Sequence, residues 1–195
     1  MKDKNNKALK PPTREDLENR IMSLEEQARF TLDVLEMASE LGDFQANINR
    51  LHEPTEILRE TISRIGGIIS FQCMAFMLVD ENDSDFTLNL CEPDSFAPLV
   101  RSETGHLIDS GIFSLAIREN RPITVYSRDK EHRIVLHVLA TNARTRGMFI
   151  GLMHRKDRNI SSIVLSLLTI ILKNCANAIE SFELYRLLRD KLDHK

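Results

Sequence analysis

Apolar residues recur along this chain with two spacings, and the change between them separates predicted helices from predicted strands. Near the N-terminus the steps alternate between four and three, the heptad spacing of a helix that pairs with another helix. The apolar or small residues there are Leu17, Ile21, Leu24, Ala28, Thr31, Leu35 and Ala38. Thr13 and Asp16 predict a capping box that starts this helix. We assign residues 1–12 to a disordered tail and 13–40 to a dimerisation or signalling helix. The alternative is an amphipathic helix packed on its own domain.

The middle of the chain changes from helical spacing to alternation. A second helix is predicted from Pro54 to the Gly66-Gly67 pair, because Pro favours a first helical turn and paired glycines end a helix. Alternating or continuous apolar runs then predict strands, and turn residues separate them. These strands are Phe71–Val79, Phe86–Cys91, Ile123–Tyr126, Ile134–Ala140 and Met148–His154. We predict a loop over Pro93–Pro98 and a short helix over about Ser110–Asn120.

The chain closes with a long predicted helix, from about Ser161 to Lys191. Its first half is apolar nearly all round, which predicts burial on two sides. A second run of four-three steps comprises Leu167, Ile171, Asn174, Ala178, Ser181, Tyr185, Leu188 and Leu192. Heptad runs at both termini predict that the two helices lie together and pair with a second copy, giving a homodimer.

This order of elements resembles that of a GAF domain, and three segments carry the resemblance over roughly Leu35 to Leu188. Residues 110–123 read SGIFSLAIRENRPI, similar to the family's G-x-x-x-x-A-x-x-x-x-R-P passage into a strand. Residues 148–153 read MFIGLM, similar to its G-V-L-x-L strand, and residues 176–180 read ANAIE, similar to its closing helix. The resemblance implies an α+β fold at residues 41–188, with residues 189–195 as helix end and tail. It also implies a six-stranded antiparallel sheet with helices bundled on one face, and a ligand, where bound, on the opposite face under the short helix.

Composition narrows the class of protein without identifying its activity. The 195 residues are 42% hydrophobic and 28% charged, which is too apolar for a disordered chain, and the net charge of −3 argues against nucleic-acid binding. The N-terminus has no apolar signal segment, and the longest apolar stretch, Ile163–Leu172, is shorter than a membrane span. Cys73, Cys91 and Cys175 form no C-x-x-C motif, so we expect reduced thiols in a cytoplasmic protein. The resemblance to GAF domains implies a bacterial protein.

Catalytic and cofactor signatures are missing from the sequence. It has no H-E-x-x-H, G-x-S-x-G, Walker or G-x-G-x-x-G motif. The N-K-x-F-D-E signature of cyclic-nucleotide-binding GAF domains is not matched after His154, and no cysteine lies in the short-helix region where bilin-binding members attach a chromophore. We predict no enzyme activity and no metal, and the sequence does not identify a cofactor. The runner-up is an enzyme like the free-methionine-sulfoxide reductases, which need several cysteines converging on the ligand site; here only Cys91 is expected near it.

The resemblance and side-chain chemistry together suggest a ligand site that suits a planar or anionic small molecule. Its candidate residues are Phe96, Arg101, Phe113, Tyr126, Arg128, His132 and His137. The offset between His132 and His137 puts these two side chains on opposite faces of a strand, so surface histidines are the simpler interpretation. The functional prediction is a sensory or regulatory protein in signal transduction that responds to a small ligand or a partner protein. The alternative is an interaction scaffold without a ligand that acts on another signalling protein, such as a histidine kinase.

Charge is distributed unevenly along the chain. Residues 128–158 carry eight basic and three acidic side chains, a net of +5, whereas residues 80–109 carry one basic and eight acidic, a net of −7. Solvated loops explain this asymmetry most simply. An anionic ligand or a partner of complementary charge is the functional interpretation.

Overall fold

The computed structural model describes residues 13–26, 28–29, 32, 53–79 and 85–193. The chain divides into two units, residues 1–42 and 43–195, and each is described by itself. In the first unit residues 14–26 form a helix, α1. The predicted capping box at its start is confirmed: Thr13 N–H donates to the Asp16 carboxylate (2.9 Å), and Asp16 N–H donates to Thr13 Oγ1 (3.2 Å). Leu17, Ile21, Leu24 and Ala28 are exposed within this unit, whereas Leu35 lies outside the described residues.

In the described part of the second unit, a helix, α2 (Pro54–Gly66), precedes one antiparallel sheet. The strands are β1 (Cys73–Val79), β2 (Phe86–Glu92), β3 (Ile123–Tyr126), β4 (His132–Ala140) and β5 (Thr145–His154). Their order across the sheet is β2-β1-β5-β4-β3. The α+β class is therefore confirmed, but the six strands implied by the family resemblance are wrong for the described residues, which form five. These five are the strands that the hydrophobic pattern predicted. Between β2 and β3 the chain is helical instead of extended, so this segment adds no strand to the sheet.

Two helices beyond the sheet's second strand cover one of its faces. A short 3₁₀ turn (Asp94–Phe96) leads into α3 (Ala97–Asp109), which is followed by α4 (Ile112–Glu119). The turn between them uses Gly111 at a φ of +76°, a conformation that glycine adopts readily. The hydrophobic pattern predicted α4, but the predicted loop over Pro93–Pro98 is wrong, because this segment forms the 3₁₀ turn and the start of α3, a helix that was not predicted. The sequence nevertheless carries a helical pattern here, since a proline lies in the first turn of α3. The buried residues of this helix recur at helical spacing: Ala97, Val100, Thr104 and Leu107.

The other face of the sheet is covered by α2 and the long C-terminal helix α5 (Ser162–Asp193). Alternation along β4 separates the two layers: Ile134, Leu136 and Val138 join the core under α3 and α4, whereas His137 bonds to Thr169 of α5. The prediction that helices bundle on one face is thus confirmed for α2 and α5. The fold is a three-layer arrangement in this unit, with the sheet between the two pairs of helices.

The long helix α5 is the one described helix that is long and apolar enough to cross a membrane by length and composition alone. Its most apolar 18-residue window has a mean hydropathy of 1.7, which is high even though Ser166 and Thr169 interrupt the apolar residues. Within this fold 44% of that window is buried. Leu168, Leu172 and Cys175 have no exposed surface, so much of the apolar character belongs to the core of the domain.

Burial also corrects part of the predicted dimer interface on α5. Leu167, Ile171 and Ala178 are at least 95% buried inside a single copy, because they face the domain's own sheet and α2. They are therefore core residues and offer no surface to a second copy, while Asn174 is half-buried. Beyond Glu183 the helix leaves the domain, and Tyr185 and Leu188 are both more than 60% exposed.

Candidate functional site

The face of the sheet under α3 and α4 is where the predicted ligand site falls, and its centre is filled with apolar side chains. Phe113 of α4 is 3% exposed and packs edge-on against Phe86 of β2, with 4.8 Å between the ring centroids. Val100 and Leu107 of α3 join the same buried cluster. The helices therefore close over the sheet with an apolar contact, and polar groups are found toward its edges.

Five of the seven predicted site residues lie on this side of the sheet. Phe96 ends the 3₁₀ turn, Arg101 is exposed on α3, Phe113 is buried on α4, and Arg128 and His132 flank the turn between β3 and β4. Phe96 and His132 face each other, with their ring planes perpendicular and their centroids 6.4 Å apart. The residues thus lie around one layer, although Phe113 is held in its core.

The other two predicted residues lie on the opposite face. Tyr126 stands directly across from Arg133 in the β3–β4 ladder, and cross-strand partners share a face. His137 lies between β4 and α5, where its Nε2 is 3.0 Å from Thr169 Oγ1 and its Nδ1 is 2.7 Å from the Val138 carbonyl oxygen. Burial lowers the pKa of His137, so the neutral imidazole is favoured there. The predicted opposite orientation of His132 and His137 is confirmed, but the interpretation as surface histidines is wrong for His137, which is 2% exposed.

A buried carboxylate, Glu103 of α3, connects the helix to the β3–β4 turn. It is 4% exposed and accepts hydrogen bonds from the Arg128 backbone N–H (3.1 Å) and from Arg128 Nε (3.5 Å). Arg128 also donates to Ser102 Oγ. Sequence reasoning counted Glu103 only as part of the acidic stretch. Its position between Val100 and Leu107 on the buried face of a helix was the signal that could have distinguished it.

The turn itself is organised by its own side chains. Ser127 Oγ donates to the Asp129 carboxylate and accepts from His132 N–H (3.0 Å), and Asp129 also accepts from Glu131 N–H (2.9 Å). The hydrogen bond from Ser127 lowers the pKa of Asp129. Residues 127–132 are therefore linked by hydrogen bonds beside α3. Within the described chain His132 Nδ1 is buried with no hydrogen-bond partner.

A second polar cluster lies on the opposite face, where α5 emerges from the domain. Arg146 is an extra residue in β5, since Leu139 pairs with Gly147 and Ala140 pairs with Thr145. Its guanidinium, 4% exposed, contacts Glu180 at 3.4 Å and makes a closer contact with Glu183. We call Arg146, Glu180 and Glu183 the α5 clamp. A hydrogen bond from Thr141, together with Arg146 and Arg144, lowers the pKa of Glu180.

These contacts change the interpretation of the charged stretches. Arg128 of the basic stretch pairs with Glu103 of the acidic one, Arg144 pairs with Glu180, and Arg133 donates to the carbonyls of Asp157 and Arg158. Several charges in the basic stretch therefore serve internal contacts. Asp80, Glu81 and Asp83 lie outside the described residues.

The chemistry available at these sites is limited. Among the described residues no three His, Cys, Asp or Glu side chains are placed to hold a metal ion. Cys73 and Cys91 are in contact in the core under α3, with 3.5 Å between their sulfur atoms, whereas sequence reasoning expected only Cys91 near this layer. Cys175 lies on α5, on the other side of the sheet, and burial raises its pKa to about 12.

Comparison with known proteins identifies the fold. No protein-family model and no curated protein sequence matches the chain. Solved structures do match: the GAF domain of a phosphoenolpyruvate-protein phosphotransferase from Coxiella burnetii has a TM-score of 0.59 at 10% identity, covering 79% of this chain and 98% of that one. The GAF domain of a putative sensor histidine kinase from Pseudomonas syringae pv. tomato has a TM-score of 0.56 at 9% identity, covering 86% and 99%. A GAF domain/HD domain protein from Geobacter sulfurreducens has a TM-score of 0.55 at 12% identity, covering 69% and 97%.

The described domain is thus an α+β sheet-and-helix module with a closed apolar layer under α3 and α4. Its neighbours among solved structures are consistently GAF domains, as the sequence motifs suggested, and it has the GAF fold.

Proposed function

We propose that this chain is a non-catalytic, cytoplasmic sensory or regulatory module of a signalling system, which dimerises through its terminal helices. The observation that carries the proposal is the end of α5. This helix leaves the domain with Leu184, Tyr185, Leu188 and Leu192 each at least 49% exposed. A stripe of this size along a helix is costly in water, and a second copy of the same helix would bury it with heptad packing.

The GAF fold supports the signalling part of the proposal. Structures that match this chain include the GAF domains of two sensor histidine kinases and a segment of a methyl-accepting chemotaxis protein. We infer that a change in the layer under α3 and α4 passes through the sheet to α5, and that the α5 clamp makes the last polar contact before the helix emerges. The output would be received by a partner such as a histidine kinase.

The stimulus is the less constrained part of the proposal. A small molecule would have to displace apolar contacts such as Phe113 with Phe86, whereas a partner protein could use the exposed charges of the β3–β4 turn without opening the core. We therefore rank docking of a partner beside ligand binding. The reductase alternative gains the contact between Cys73 and Cys91 but has Cys175 on the wrong face of the sheet.

Oligomeric state tests the proposal directly. We expect the full chain to sediment as a dimer at micromolar concentration and the Leu188→Lys variant to sediment as a monomer, because a lysine in the stripe would have to be buried against its copy. Asp190→Lys is the matched control: it adds positive charge at a heptad position away from the stripe, and it should leave the dimer intact. A monomeric wild-type protein, or equal behaviour of the two variants, would contradict dimerisation through α5.

A further inference from the structure

Two cysteines that are far apart in sequence meet in the core beneath the start of α3. In the β1–β2 ladder Ala75 pairs with Cys91, so Cys73, two residues earlier, lies diagonally across on the same face. Their Sγ atoms are 3.5 Å apart, in van der Waals contact. A disulfide needs the sulfur atoms to approach to about 2.05 Å. Forming the bond requires β2 to move toward Cys73, and β2 is an edge strand whose ladder with β1 already has an irregularity at Phe76/Met77.

We propose that Cys73 and Cys91 are an oxidisable pair that a small hydroperoxide converts into an intramolecular disulfide between β1 and β2. This modification goes beyond the proposed function, since it depends on neither dimerisation nor a ligand. In proteins of reducing compartments, disulfides are generally transient and report on oxidants.

The reaction balances with the hydroperoxide as the only oxidant. Cys91, the more exposed of the two, loses its thiol proton. The thiolate attacks one peroxide oxygen, giving a sulfenic acid and releasing the other peroxide oxygen as hydroxide or alkoxide, which takes up the released proton. The Cys73 sulfur then displaces the sulfenic hydroxyl and loses its own proton, so the S–S bond forms and water leaves. With hydrogen peroxide, two thiols give up two electrons and two protons, and two water molecules result.

The surroundings predict a slow reaction and a local structural effect. Burial raises the pKa of both thiols, which keeps the thiolate fraction small, so oxidation will be slower than that of an exposed thiol. Cys91 Sγ also lies 3.6 Å from the Pro93 carbonyl oxygen. A bond from Cys91 to Cys73 would therefore fix the end of β2 from which the 3₁₀ turn and α3 begin.

The test is thiol counting after exposure of the full chain to hydrogen peroxide. After denaturation and alkylation, we expect the number of reactive thiols to fall from three to one, with a protein about 2 Da lighter before alkylation and a Cys73–Cys91 cross-linked peptide. Dithiothreitol should restore all three. Cys175→Ser should still form the cross-link, whereas Cys73→Ser and Cys91→Ser should not.

Several outcomes would overturn the proposal that Cys73 and Cys91 form a disulfide. They are three retained thiols, oxygen addition at a single cysteine without a cross-link, a bond that includes Cys175, or a disulfide between two copies. Because peptide mapping is done on the wild-type chain, the result does not depend on the folding of any variant. Circular dichroism of each serine variant would separate lost reactivity from lost structure.

Discussion

The α5 clamp offers a quantitative test of how the sheet holds the emerging helix. Replacing Arg146 by Met keeps most of the side-chain volume but removes the guanidinium that contacts Glu180 and Glu183. Breaking a buried ion pair by removing one partner costs about 3–5 kcal/mol. The two carboxylates retain about a fifth of their exposed surface, so water recovers part of this loss, and we expect Arg146→Met to lower the free energy of unfolding by roughly 2–3 kcal/mol.

Urea denaturation followed by circular dichroism measures this change, provided that the m-value is unchanged. A double-mutant cycle with Glu180→Gln isolates the pairwise contribution, for which we expect about 1–2 kcal/mol. The matched control is Arg118→Met in the same unit, because Arg118 is 75% exposed and pairs only weakly with Glu119; its cost should stay below about 0.5 kcal/mol. Equal effects of Arg146→Met and Arg118→Met would refute the clamp as a stabilising contact.

The clamp also predicts a dependence on pH. The pKa of Glu180 is lowered in the folded protein from its ordinary value of 4.5. Ionised Glu180 therefore adds to the free energy of unfolding above pH 4.5, and this contribution is lost as the pH falls through the lower folded-state pKa. The difference in stability between wild type and Arg146→Met should therefore shrink in acid below pH 4.5. A difference that stays constant down to pH 3 would argue against an ionic contribution.

Two further predictions concern the sheet. Gly147→Ala should destabilise the domain by about 2 kcal/mol or more, because the new Cβ would lie 2.2 Å from the Met77 carbonyl oxygen. Gly105→Ala on α3 meets no atom within 4 Å and should stabilise the domain by about 0.5–1 kcal/mol. Thermal unfolding of both variants measures this contrast, and similar shifts in the two melting temperatures would contradict it. The lowered pKa of His137 means that the unfolded chain takes up a proton below pH 6.5 that the folded chain does not, so stability should fall as the pH drops below 6.5 by at most about 1.4 kcal/mol per unit. His137→Gln should remove this slope from urea titrations at pH 5.5 and 7.5, and an unchanged slope would assign it to another group.

Some of the site could be read from the sequence because it depended on periodicity. The alternation in β4 correctly separated His132 from His137, and the spacing from Pro54 to Gly66 placed a whole helix. The missed features depend on contacts between distant segments. Glu103 meets Arg128 across 25 positions, and the sulfur of Cys73 meets that of Cys91 across 18, so the periodicity of a single helix or strand does not reveal either contact.

The division between sequence and structure is clearest in α5. The apolar spacing by itself predicted a long helix with a seam from about Ser161 to Lys191, and the structure has this helix over Ser162–Asp193, because helix periodicity is a local property of the chain. Only the tertiary structure decided which part of that seam is core and which is surface. Leu167, Ile171 and Ala178 are buried by the domain's own sheet and α2, while Tyr185 and Leu188 extend past the point where the sheet ends. A heptad pattern specifies a face that must be covered, and the surrounding fold determines what covers it.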